Sequence, residues 1–452
     1  MTTGPHLARR PVTTARAEES VVSFEDSDVV RSAIRVEGFR DDEFNYQLIR
    51  AMGMADYGGS TVGECLAVVS EITDGSPQSW VLAFERLARR VEGRGRDCLA
   101  AGRRVSARDH LLRASTYYRT AEYYADGVSG RSHALGEGSQ ACFAEAASLL
   151  DPPVEMLEIP FEGGTLPGYL VRPPTSPATD ERRYPTLVGV GGFDSSAEEL
   201  YFHLGAPGAE RGWNVFVFDG PGQPGCMRTN PGMTFRPDYE VPIAAVIDCL
   251  SDRPDVDADR LALAGQSFGS YFAARSAATD GRVRALVANP PVVDMSRYME
   301  AWVGSEVYRM VRDIRPEDVI GVPEDLMPRQ MQWGIDAICN RFGVPSFHAW
   351  RDSMEDYRLG GLASSIACPA LALIGDREGD EPQAQFESFV AAVAGAVTPV
   401  RFTAVDGAST HCQSDNIRLS AQVTFDWLDE QLGVQPSGRR GAAQPSPAGD
   451  GT

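Results

Sequence analysis

Six short, unbroken apolar runs most constrain what this chain can fold into: PTLVGVGG from Pro185, NVFVFDG from Asn214, LALAGQS from Leu261, ALVANPP from Ala285, ALALIGD from Ala370 and PVRFTAVDG from Pro399. A strand with one wet face alternates apolar and polar residues. Strands that stay apolar throughout must be covered on both faces, as in parallel sheets. Helical segments separate the runs, at Ala197–Arg211, Pro242–Leu250 and Gly269–Ala278. Strand–helix alternation of this kind predicts an α/β protein with a mostly parallel, doubly wound sheet. EMLEIPFEGGTLPGYLVRP, just before, reads as two antiparallel strands turning at Gly163–Gly164.

The chain has 452 residues, enough for two or three domains. Residues 1–31 read as a disordered tail without the apolar stretch of a secretory signal. Residues 32–150 carry helical periodicity and little strand signal; in ARDHLLRASTYYRTAEYYA the apolar positions Leu111, Ala114, Tyr117, Tyr118, Ala121 and Tyr124 recur at helical spacing. That tyrosine-rich face reads first as packing between helices and second as pocket lining. SWVLAFERLARRVEGRGRDCLAAG is a further helix with a stop at Gly102, and Ser139–Leu150 another. The sheet occupies 151–291 and 370–434. The intervening 292–369 is helical and far longer than an ordinary strand–helix connection, so it reads as a lid above the carboxyl ends of the strands. Residues 435–452 form a Pro/Gly/Ser-rich tail.

Net charge is −21, which disfavours nucleic acid and anionic membranes as partners. There is no lysine, which removes Schiff-base and P-loop lysine chemistry. The eight cysteines are scattered without a C-x-x-C pair, so neither a metal nor a redox motif is expected, and reduced thiols fit a cytoplasmic protein. No organic cofactor is implied: Asp219–Gln223 follows a strand but lacks the G-x-G-x-x-G spacing and reads as loop geometry. The expected partner is a small-molecule substrate, and homodimerisation is left open. Arg236–Glu240 reads first as a salt-bridged turn and second as a substrate contact.

Gly265-Gln266-Ser267-Phe268-Gly269 follows a strand and precedes a helix. That is the context in which G-x-S-x-G forms a sharp elbow presenting serine as a nucleophile. Serine needs a base. Of six histidines, only His411 lies in a loop after the last strand; His203 and His348 read first as ordinary surface or core residues and second as candidates for substrate contact. The orienting acid is expected between Gly375 and Glu381. Glu378, three residues past the glycine that ends the strand, leads, with Asp380 the runner-up and Asp294 third. Oxyanion donors are expected from the N–H of Phe268 and of Phe193, with Gly192 close behind. Asp194 is expected to turn away and cap the next helix with Ser195 and Ser196, contact with a substrate hydroxyl being the lesser alternative.

Taken together, GGFDSSAEELYF, FDGPGQPG, RPDYE, GQSFGSYFAARSAA and GASTHCQ resemble the FrsA-like α/β hydrolases, and within them the fungal Ayg1-like pigment-biosynthesis hydrolases and the 2,6-dihydroxypseudooxynicotine hydrolases. VSARDHLLRASTYYRTAEYY matches that family's N-terminal helical domain, so the resemblance spans about 39–432. It implies the α/β-hydrolase fold with an N-terminal helical domain and a helical lid. It also implies a Ser267–His411–acid triad, although many relatives carry aspartate where Glu378 stands. The implied chemistry is hydrolysis of an ester, thioester or C–C bond in a small carbonyl metabolite of β-dicarbonyl, aryl-ketone or polyketide type. Elimination or cyclisation by the same residues is one alternative, and a non-catalytic small-molecule binding protein is another.

Overall fold

The computed structural model describes residues 38–125, 130–174, 183–304 and 329–434. Both sequence-predicted tails, and 305–328 of the sequence-predicted lid, lie outside these residues.

Five helices come first: α1 (Asp42–Gly53), α2 (Val62–Val69), α3 (Pro77–Ala100), α4 (Arg104–Glu122) and α5 (Arg131–Ala147). Asp41, Thr61 and Ser76 cap the first three by accepting the N–H three residues on. Gly102 follows α3 at φ +72°, as a helix stop requires. Trp80 centres this domain: it is fully buried, stacks near Phe44, Phe84 and Tyr124, and donates its indole N–H to the Thr120 carbonyl at 2.9 Å. Tyr117 and Tyr118 are buried between helices, their hydroxyls donating to Glu64 (2.8 Å) and Glu92 (2.6 Å). That part of the tyrosine face is core; Tyr123 instead borders a cavity described below.

The sheet has eight strands: β1 (Glu155–Phe161), β2 (Gly164–Val171), β3 (Tyr184–Val190), β4 (Asn214–Phe218), β5 (Val256–Gln266), β6 (Ala285–Asn289), β7 (Ala370–Gly375) and β8 (Val397–Phe402), in the order β1-β2-β4-β3-β5-β6-β7-β8. β1, β2 and β4 pair antiparallel, and β4 through β8 pair parallel. The β1–β2 turn is Glu162–Gly163, one residue earlier than expected. A two-residue hairpin of this type needs positive φ at both central positions, and these residues have +44° and +83°, while Gly164 already pairs with Phe161. β4, β6 and β7 are buried along their whole length, which is why their sequences do not alternate.

Between strands lie α6 (Ala197–Leu200), which passes through a π-helical turn at Tyr201–Gly205 into α7 (Ala206–Glu210), then α8 (Pro224–Thr229), α9 (Glu240–Ser251) and α10 (Phe268–Thr279). The β6–β7 connection carries α11 (Met295–Val303), α12 (Arg329–Phe342) and α13 (Phe347–Ser353), with no strand among its described residues. The chain closes with α14 (Asp380–Ala392) and α15 (Ile417–Leu432).

The helical domain and one face of the sheet share a single apolar core. Phe143 of α5 packs on Tyr169 of β2 at 4.6 Å and on Tyr201 at 5.1 Å, and Val215 and Val217 of β4 belong to the same cluster. The other face packs under α9, α10 and the β6–β7 helices. No helix among the described residues is long and apolar enough to cross a membrane. Trp80→Ala should lower unfolding stability by about 3–5 kcal/mol, because it empties a large buried site and strands the Thr120 carbonyl. A urea titration followed by far-ultraviolet circular dichroism checks this.

Candidate active site

Strand β5 passes into α10 through one residue, Ser267, held at φ +55° and ψ −126°. A non-glycine residue in that region costs roughly 1–3 kcal/mol and persists only where its surroundings fix it. Here they do. A Cβ on Gly265 would lie 2.2 Å from the Gly269 carbonyl oxygen, and one on Gly269 would lie 2.3 Å from that of Val190. The two motif glycines thus let the elbow fold onto itself and onto β3. The Ser267 N–H donates to the Asn289 carbonyl at 2.7 Å, tying the elbow to the end of β6.

His411 Nε2 stands 2.9 Å from Ser267 Oγ, and its Nδ1 stands 2.6 Å from Glu378 Oε2. An ionised carboxylate can only accept, so Nδ1 carries the proton and Nε2 is left to accept from the serine hydroxyl. Glu378 is fully buried, and its other oxygen accepts the Gly375 N–H at 2.8 Å. Burial works against the imidazolium, but Cys412, Tyr298 and Glu378 outweigh it and hold His411 well above the ordinary imidazole range. Positive φ at Cys412 and Gln413 curls the backbone just after the ring. Asn289 bridges this loop and the elbow: its amide donates to Gln413 at 2.8 Å, and its carbonyl accepts from Cys412 Sγ at 3.3 Å. The rival acids stand elsewhere. Asp380 is the first residue of α14, and Asp294 caps α11 and pairs with Arg358 at 3.1 Å.

The loop Gly191–Asp194 lies against the serine. A Cβ on Gly192 would fall 2.8 Å from that of Ser267. The Gly192 N–H, however, donates to Ser195 Oγ at 3.1 Å, so Gly192 contributes close approach rather than the donor expected of it. Phe268 opens α10, so its N–H is among those without an intrahelical acceptor. Gln223 braces the loop from behind: its side-chain amide donates to the Gly191 and Gly192 carbonyls at 2.7 and 3.2 Å and accepts from the Gly220 N–H at 2.7 Å. Sequence reading saw only loop geometry in Asp219–Gln223; a glutamine in a tight turn after a strand was the available signal. The Asp194 expectation is corrected. Ser196 caps α6, whereas the Asp194 carboxylate pairs with Arg50 of α1 at 2.8 Å and its carbonyl accepts from Arg119 of α4. Charge pairing across the domains outcompetes a local cap.

Phe193 projects among Phe235 (5.8 Å), Phe342 (6.2 Å) and the guanidinium of Arg341, which lies 4.8 Å above its ring and donates to its carbonyl. Phe268 joins the group, 5.4 Å from Phe235. His203, on the π-helical turn, is buried, and its Nδ1 accepts from the side-chain amide of Gln266, the residue before Ser267, at 3.2 Å. Burial, with Arg50 nearby, pushes its imidazole down to about 4 against the pull of Glu199, so it is neutral at physiological pH. His348 sits on α13, whose Trp350 packs near Phe342 and Phe347.

A small cavity opens between the helical domain and the core, lined by Gln47, Arg50, Arg119, Tyr123, Glu198 and Phe202 among others. Ser267 is not among its lining residues; the chemistry therefore places the candidate site at the serine, with this cavity beyond the arginines that hold Asp194. Beside it lies a buried polar cluster. Tyr169 donates to Glu198 at 2.6 Å, Arg228 pairs with Glu122 at 2.7 Å, and the Gly225 N–H donates to Asp219 at 3.0 Å.

These features define an α/β hydrolase, and the comparisons narrow it. Residues 93–311 match the family described as esterase FrsA-like. The chain is 33% identical over 423 residues to hydrolase ORFZ of Pyricularia oryzae, covering 88% of this chain and 98% of that protein. It is 34% identical over 362 residues to α/β hydrolase gkaG of Penicillium citrinum, covering 75% and 82%. Its fold is similar to that of 2,6-dihydroxy-pseudo-oxynicotine hydrolase, with a TM-score of 0.65, 22% identity, and coverage of 84% of this chain and 95% of that one. The chain belongs to the FrsA-like α/β hydrolases, an enzyme family.

Asp219 links the cluster to pH. Burial and, after it, the charge of Glu198 push its carboxyl up to about 8 against the pull of Arg228. An acid held above its unfolded value contributes stability that is complete below the unfolded range near 3.8 and is lost as pH rises through about 8. Asp219→Asn should flatten that part of the stability profile. Urea midpoints measured from pH 4 to pH 9 for both proteins test this; parallel profiles would contradict it.

Proposed function

We propose that this protein is a serine hydrolase acting on a small carbonyl metabolite through an acyl-enzyme, with Ser267 as nucleophile, His411 as base and Glu378 as the orienting acid. The observation that carries the reading is the continuous hydrogen-bond relay from Glu378 through His411 to Ser267, at 2.6 and 2.9 Å. His411 removes the hydroxyl proton as Oγ attacks the carbonyl. Glu378 fixes the ring's tautomer and stabilises the imidazolium that forms. The developing oxyanion is taken by the N–H groups of Phe193 and Phe268. His411 then protonates the leaving group and activates the water that releases the acyl group. The bond cleaved is an ester, a thioester or a C–C bond whose leaving carbon is stabilised as an enolate or phenolate. The aromatic wall of Phe193, Phe235, Phe268 and Phe342 favours compact aryl substrates.

Intact-protein mass spectrometry after exposure to a fluorophosphonate tests the nucleophile. One adduct is expected on the wild type and none on Ser267→Ala, whose turnover should fall by about 10⁴-fold or more. An adduct retained on Ser267→Ala would sink the assignment. The base must be neutral to accept a proton, and His411 is held above the usual imidazole range. Activity should therefore rise with pH along a limb above that of a free imidazole. Glu378→Gln removes the anion that favours imidazolium, so it should move this limb to lower pH and cut the plateau rate by about 10²- to 10⁴-fold. A pH–rate profile of kcat/KM for both proteins reads the shift, and an unmoved limb would refute the pairing.

A further inference from the structure

The loop beside Ser267 is gripped by two arginines from opposite sides of the molecule. Arg119 of α4 donates to the Asp194 carbonyl, and Arg341, near the end of α12, donates to the carbonyl of Phe193, the residue before it. The two guanidiniums thus hold successive carbonyls of the loop, one and two residues past Gly192, which packs against Ser267. Their surroundings differ. Arg119 is buried and paired with Glu122 at 3.2 Å, although its Nε has no hydrogen-bond partner. Arg341 forms no ion pair among the described residues. Its contacts are the Phe193 carbonyl and the Phe193 ring 4.8 Å below it. Among the described residues only Nη1 of its side-chain donors is engaged, so Nε and Nη2 are left without a partner there. The residue is partly buried, with its guanidinium over the Phe193 ring.

A guanidinium taken from bulk water is ordinarily matched by a carboxylate, because the unmatched charge is costly. Glu122, Asp194 and Asp219 are within electrostatic reach of Arg341, but none touches it. Burial, and after it the neighbouring charge of Arg119, pulls the Arg341 group down to about 10 against those three acids. The site therefore has an unmet preference for negative charge. The vacant edge of the guanidinium offers parallel N–H donors, the geometry that matches a carboxylate. The Phe193 ring lies flat beneath the guanidinium and stacks in turn with Phe342 at 6.2 Å.

We infer that Arg341 binds a carboxylate, or another planar two-oxygen anion, on the part of the substrate beyond the scissile carbonyl, and so selects anionic substrates at the Ser267 site. This deepens the serine-hydrolase reading and rests on it for the location of the scissile bond. Arg341 is here a binding residue, distinct from the groups that perform bond cleavage.

Benzoate and its neutral isostere benzamide serve as probes with the full chain. Each is titrated against the rate at which a fluorophosphonate modifies Ser267, and each protein is referenced to its own rate without ligand. In the wild type, benzoate should halve labelling at a concentration at least about tenfold below that of benzamide, as expected for a charge-assisted pair. Arg341→Gln should raise the benzoate value by about 10- to 100-fold while shifting the benzamide value by no more than about twofold. Arg341→Lys, which keeps the charge and loses the fork, should fall between. Equal protection by the two ligands in the wild type would overturn the assignment. So would equal weakening of both in Arg341→Gln, since that marks a purely structural role. Calorimetric titration of benzoate into wild type and Arg341→Gln needs no reactive serine. A benzoate preference lost in Arg341→Gln, without any labelling of the wild type, would overturn the serine reading and keep the anion site; labelling without a benzoate preference would do the reverse.

Discussion

Ser267 can hold a backbone conformation that side chains avoid only because main chain closes in around it. The elbow folds so tightly that positions 265 and 269 have no room for a methyl group, and position 192 has none against the serine itself. The remaining geometry follows from this contact. With the hydroxyl fixed at the end of β5, the ring of His411 has one place to stand, and Glu378 must approach from β7 to reach its far side. Asn289 sits where the three segments meet, accepting the Ser267 N–H while its side chain reaches Gln413. A relay of short bonds needs such a rigid frame, because small displacements of reacting groups cost large factors in rate.

The frame extends beyond the sheet. Arg50 and Arg119 reach across from the helical domain to Asp194, and Gln223 steadies the same loop from the β4 side. The 191–194 loop is therefore positioned by residues 31 to 144 positions away in sequence. Its charges are met inside the protein, where ion pairs are little screened and their geometry decides their worth. The shared apolar core under Phe143 and Tyr169 supplies the rigidity that lets these pairs keep their geometry.

Much of the fold was legible because it rests on local patterns. Unbroken apolar runs between helices identified the buried parallel strands, and a serine between two glycines at a strand–helix junction identified the elbow. His411 was found by its place after the last strand. Glu378 was legible as the leading choice from its offset past Gly375, but only the structure separates it from Asp380, since both lie in one acidic loop and the difference is which of them begins α14. What stayed hidden depends on partners distant in sequence. Asp194 read as a helix cap because Ser195 and Ser196 stand beside it, whereas its partner Arg50 lies on the first helix. Gly192 read as a donor until Ser195 Oγ was seen to occupy its N–H. Gln223, Arg119 and Arg341 carry no local signature, because their roles arise from the carbonyls that tertiary packing brings to them.

The ion pair from α1 and the hydrogen bond from α4 to the 191–194 loop bear on how such an enzyme can change over evolutionary time. The helical domain is not an interchangeable cover for a self-sufficient core. Exchanging it for another would remove the guanidiniums that hold the loop and strip Val215 and Val217 of β4 of their packing partners. Diversification in this architecture is thus channelled toward side chains that line the space between the two parts, while the interface itself is inherited as one unit.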